Sequence, residues 1–135
     1  MRLPIMLVCL GLACPAGAED VSFATPSGNI QCRIGTQNDI EALTCSIHER
    51  SGPLPRPRPP GCTFDWGHVF AMQREGEAVL LCAEVEEPAP PETLVEFGIT
   101  SEFDGFTCQS TAAGLDCRNL DGHGFFLSRS SQVLY

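Results

Sequence analysis

The chain has 135 residues, 43% of them apolar, which fits one globular domain with a modest core and argues against global disorder. Its formal charge is −9, and all eight of its basic residues are arginines. An acidic surface repels phosphate backbones and anionic lipid heads, and a chain without lysine has no Schiff-base or Ser–Lys chemistry.

The first 18 residues read as a signal peptide. Arg2 supplies the positive end, residues 5–13 form a short apolar run, and Ala16-Gly17-Ala18 is an A-x-A cleavage site. The apolar run is too short for a spanning helix, which needs about 20 residues. Export to the periplasm or the medium is expected. A competing reading takes Gly11-Leu12-Ala13-Cys14 as a lipobox, with the product anchored through lipidated Cys14. The branched apolar residue of a lipobox is missing three places before that cysteine. Loss of residues 1–18 moves the charge to −10 and leaves six cysteines, an even set that an oxidising compartment would pair.

From residue 19 onward the pattern is that of short strands. Ile30-x-Cys32, Leu43-x-Cys45, Leu80-x-Cys82, Phe106-x-Cys108 and Leu115-x-Cys117 repeat with the strand period of two, and Cys62 precedes Phe64 by two. That spacing predicts that each thiol shares the inward face with its apolar neighbour. Turn residues separate the runs: Pro26 to Asn29, Gly35 to Asp39, Glu75-Gly76-Glu77, Asp104-Gly105, Ala113-Gly114 and Asp121-Gly122. Strands are also expected at 123–127 and 132–135. The best helical window, residues 68–74, is short and stops at Gly76. The total is about nine strands. The expected fold is all-β, a small antiparallel sandwich or barrel of hairpins stapled by three disulfides.

Two proline-rich joints interrupt the strands. Residues 53–60 should run as polyproline II, a stiff spacer that also resembles a ligand for proline-binding domains. Residues 84–92 form an acidic joint whose four glutamates lack the alternation and turn glycine of a calcium loop.

Six cysteines admit many pairings, and sequence alone does not select one. Adjacency favours Cys32–Cys45, Cys62–Cys82 and Cys108–Cys117, each joining neighbouring strands. On a chain-entropy model each such loop contributes about 3 kcal/mol. Zinc is disfavoured, because no Cys-x-x-Cys occurs and His48, His68 and His123 lie at no metal spacing.

No nucleophile elbow, phosphate loop or cofactor motif is present, so neither catalysis nor a cofactor is expected. Two clusters stand out. Asp65, Trp66 and His68 place an acid, the sole tryptophan and an imidazole together. Either the tryptophan is exposed as an anchor for a ligand, or it packs on the neighbouring disulfide with Gly67 giving a bend. Asp121 and His123 form either an acid–imidazole pair or a turn that opens a strand with Phe125 and Leu127 inward. The structural reading is preferred for both.

Phe23 to Cys32, Cys62-x-x-Asp65-Trp66-Gly67, and Cys108 to Cys117 followed by Gly122-His123-Gly124-Phe125 together resemble a family of small secreted bacterial proteins known only as a domain of unknown function. The likeness spans about residues 21–135, and the Pro88–Pro91 joint departs from it. It implies export and paired cysteines, and it carries no activity or site residues. The five residues Gly76 to Leu80 are also similar to a stretch of the periplasmic lysozyme-inhibitor β-barrels. The leading expectation is an exported, non-enzymatic binding or envelope-associated module, its partner a basic protein or envelope component and not nucleic acid. The alternatives are an inhibitor of a cationic secreted enzyme such as lysozyme, and a small hydrolase using Asp65/His68 or Asp121/His123.

Overall fold

The computed structural model describes residues 21–37, 39–85, 90 and 93–135. The expected signal peptide, Cys14 and most of the acidic joint lie outside the described residues. Among those described there is no helix. None, therefore, is long and apolar enough to cross a membrane.

Among the described residues eleven strands form two sheets. The first sheet holds β1 (Val21–Ala24), β2 (Ile30–Gln37), β3 (Ile40–Ile47), β4 (Val69–Gln73), β5 (Val79–Leu81) and β6 (Thr93–Leu94). The second holds β7 (Thr100–Phe103), β8 (Phe106–Thr111), β9 (Gly114–Arg118), β10 (Gly124–Leu127) and β11 (Gln132–Leu134). Each is an antiparallel meander, ordered β5-β4-β3-β2-β1-β6 and β11-β10-β9-β8-β7. The exception is β6, which runs parallel to β1. The hairpin reading did not foresee it: β6 returns after the acidic joint and covers an edge that β1 would otherwise expose.

The period-two pattern does what its chemistry requires. In β8, Phe106, Cys108 and Ser110 are buried while Thr107 and Gln109 are exposed. Both sheets contribute to one core, in which Phe23, Leu43, Ile47 and Phe70 meet Phe106, Leu115, Phe125 and Leu127. Burying each such side chain contributes about 1.5–3 kcal/mol. Aromatic pairs bridge the sheets, with Phe23 stacked on Phe103 at 4.6 Å and Phe70 tilted on Phe125 at 5.7 Å. The window 68–74 is mostly β4, whose Val69 to Met72 are all buried. A strand buried on both faces reads as a continuous apolar run, which is why it competes with a helix in the sequence.

The disulfides are Cys32–Cys45, Cys62–Cys82 and Cys108–Cys117. The first and third join directly opposed residues of β2/β3 and β8/β9. Their Cα separations of 4.0 and 4.1 Å belong to the closer kind of antiparallel pair, where side chains meet face on. All four of these cysteines are core residues. The second disulfide corrects the expectation that every thiol points inward. Cys82 is exposed and Cys62 only half-buried. The strand β5 stops at Leu81, so the alternation that buries Leu80 does not carry through to Cys82.

Candidate functional site

The four turns β2–β3, β4–β5, β7–β8 and β9–β10 are gathered at one end of the sandwich by two side chains. Arg74, just past β4, pairs with Glu41 at the start of β3 and with Asp104 in the β7–β8 turn, the latter at 2.7 Å. Its carbonyl accepts the amide of Leu120 (2.9 Å). Asn119, buried, is the second hub. Its Nδ2 donates to the carbonyls of Gln73 (3.0 Å) and Gly76 (2.7 Å), and its Oδ1 accepts the amides of Asp121 (3.0 Å) and His123 (3.1 Å). The Gly76 amide donates back to Asp121 Oδ2 at 2.8 Å.

These tips fold as their sequences dictate. Asp104 and Gly105 both have positive φ, 48° and 93°. A two-residue hairpin loop needs that geometry, and the Asp-Gly pair tolerates it at low cost.

The surface so assembled is acidic. Asp39, Glu75, Glu77 and Asp121 are exposed there, with Glu41 and Asp104 on Arg74. Burial, and then the neighbouring Asp104, push the Glu41 carboxyl above its usual range. Asp104 is held below its own, first by the hydrogen bond from Glu41 and then by Arg74. Two apolar side chains stand among the acids: Leu120, 64% exposed, and Ile40, 49% exposed. Leu120 is the most exposed large apolar residue described. Sequence reasoning did not single out Arg74, Asn119 or Leu120. The available signal was an asparagine and a lone leucine directly before Asp121-Gly122, a turn already recognised.

The residues that reasoning did single out are placed as follows. Trp66 is half-buried against the core, and its Nε1 donates to the Arg56 carbonyl at 2.9 Å, bracing the proline-rich segment. It is therefore packed and hydrogen-bonded rather than free. Asp65 Oδ2 accepts the Val85 amide at 3.1 Å, whereas the His68 ring meets the Ile47 carbonyl at 2.8 Å through Nδ1. Asp121 faces Gly76, and His123 Nδ1 lies 3.1 Å from the Tyr135 carbonyl. In both clusters the acid and the imidazole bond to different partners. Phe125 and Leu127 point inward, fully buried. Gly124 sits where an added Cβ would lie 1.9 Å from the Cys117 carbonyl, so the approach of β10 to β9 requires glycine. Beside Asp65 an open groove of about 460 Å³ is lined by Arg58, Thr63, Phe64, Asp65, Glu84 and Val85.

Within the stretch Phe23 to Cys32, Gly28 and Asn29 each hold a turn in place. Gly28 closes the β1–β2 turn through its amide to the Thr25 carbonyl. Asn29 clamps Glu49 at both backbone groups, at 2.8 and 3.0 Å.

Three disulfides and the lack of a spanning helix among the described residues fit an extracellular or periplasmic protein. No curated protein and no solved structure matches the chain. The model of a family of unknown function, DUF6636, matches residues 3–135, nearly the whole sequence, and the chain belongs to that family.

Proposed function

We propose that this protein is an exported, non-catalytic binding module that docks a cationic protein on the acidic end of its sandwich. The observation that carries this reading is the exposure of Leu120 among the acids of the four turns. An apolar side chain ringed by charge has the anatomy of an interface anchor with a polar rim. The acids attract a basic partner from a distance, and Leu120 supplies the desolvated contact at short range. Arg74 and Asn119 fix the turns in advance, so little ordering cost remains at the moment of binding. Binding is favoured over hydrolysis because the rings of His68 and His123 are each engaged with a backbone carbonyl.

A cationic secreted enzyme such as lysozyme is the partner class that best fits this charge, and lysozyme serves as the probe. Calorimetric titration should give a complex that weakens as salt rises. Leu120→Asp should weaken it at least about tenfold, the loss of one anchor. Glu75→Lys with Glu77→Lys should chiefly slow association. Equal affinity in Leu120→Asp, or affinity indifferent to salt, would remove the acidic end as the docking surface.

A further inference from the structure

We propose that Cys62–Cys82 is a thiol–disulfide exchange site, opened by an external dithiol and reclosed by the same partner in its disulfide form, while the two core disulfides remain closed. The three bridges differ sharply in access. Cys32, Cys45, Cys108 and Cys117 are each 3% exposed or less, whereas Cys82 is open to solvent and Cys62 half so. A thiolate must reach a sulfur to attack it, so exchange at the core pairs waits on opening of the fold, and exchange at Cys82 does not.

The surroundings suit the chemistry. Arg58 Nη1 donates to the carbonyls of Cys62 and Phe64, both at 3.1 Å. Cys62 Sγ lies 3.5 Å from that same Phe64 oxygen, so the guanidinium and the sulfur are near neighbours. A nearby cation stabilises a thiolate, and a stabilised thiolate leaves faster. An open groove beside the bridge is lined by Thr63, Phe64 and Asp65, which follow Cys62, by Glu84 and Val85, which follow Cys82, and by Arg58.

The step is an exchange. The thiolate of the dithiol attacks exposed Cys82 Sγ, the Cys62–Cys82 bond breaks, and Cys62 leaves as a thiolate beside Arg58. The second thiol of the partner then attacks the mixed disulfide. It releases Cys82, leaving the partner oxidised and both cysteines reduced. Opening does not free the two segments. The Ala83 amide donates to the Asp65 carbonyl at 3.3 Å, and the Val85 amide to Asp65 Oδ2 at 3.1 Å. Trp66 still holds Arg56. These contacts keep the two thiols near each other for reclosure. The partner is a protein dithiol of the oxidoreductase class, and dithiothreitol and glutathione are its test surrogates.

The oxidised protein is exposed to dithiothreitol without denaturant, quenched with iodoacetamide at intervals and mapped by peptide mass spectrometry. Cys62 and Cys82 should be alkylated at least about ten times faster than the other four, with the circular-dichroism spectrum unchanged. Simultaneous labelling of all six cysteines with loss of that spectrum would overturn the proposal. With glutathione, the trapped mixed disulfide should sit on Cys82, and trapping on Cys62 would reverse the assigned direction of attack. Arg58→Gln should slow opening several-fold, and an unchanged rate would remove Arg58 from the step. The double variant Cys62→Ser/Cys82→Ser should keep the native spectrum, and its unfolding would contradict the independence of this site.

Discussion

Asn119 satisfies four backbone groups with one amide, one at the end of β4 and one in the β4–β5 turn of one sheet, and two in the β9–β10 turn of the other. An alanine there leaves those groups to water or to nothing. Asn119→Ala should cost about 2–3 kcal/mol in urea unfolding, the range for orphaning buried polar groups. His48 makes a separate prediction. Burial, and then nearby His68, push its imidazole below the ordinary value of 6.5. Its Nε2 is buried and without a hydrogen-bond partner among the described residues. The unfolded chain therefore binds this proton more readily than the folded one. Its contribution is present above pH 6.5 and fades as pH falls from there toward the lowered folded value. A histidine titration by NMR should place the His48 midpoint below 6.5, and His48→Gln should flatten the acid side of the stability profile. The carboxyl titrations should likewise show Glu41 taking up its proton before Asp104 as pH falls, since the two are shifted in opposite directions. Little of this was legible beforehand. A hub is defined by what surrounds it, and two of the four groups that Asn119 binds are more than 40 positions away in sequence.

Strands were legible where one face is wet. In β2, β3, β8 and β9 the alternation of apolar and polar residues is complete enough to predict which way Cys32, Cys45, Cys108 and Cys117 point. The same rule fails one residue beyond β5, because periodicity does not mark the position at which a strand ends. It is also silent on β6, two exposed residues recruited by their parallel neighbour β1. Periodicity does not explain the glycine that opens β10 either, whereas the structure gives the reason in the Cys117 carbonyl. Gly124→Ala should push β10 off β9 and cost about 3 kcal/mol or more, read as a drop in the thermal midpoint. The loss should far exceed that of alanine at an exposed turn glycine such as Gly76, where nothing lies within 4 Å and only the backbone conformation objects.

At the scale of the molecule, one shared core holds two meanders face to face, each stapled within itself by a buried bridge, and the turns at one end carry the charge. Complete reduction should abolish cooperative unfolding, because the two core staples close loops worth about 3 kcal/mol each on the chain-entropy model. That sum is a large part of the 5–15 kcal/mol by which an ordinary domain is stable. Net acidity was legible from composition, but its concentration around Leu120 was not: the acids come from four turns that only the stacked sheets bring together. Amide chemical-shift mapping of the folded protein against lysozyme tests that arrangement most directly. The shifts should cluster at Asp39–Glu41, Arg74–Glu77, Asp104 and Leu120–Asp121, and should leave the Trp66 loop and the opposite end unmoved. Shifts centred on the Trp66 loop, or none at all with lysozyme in excess, would contradict the account.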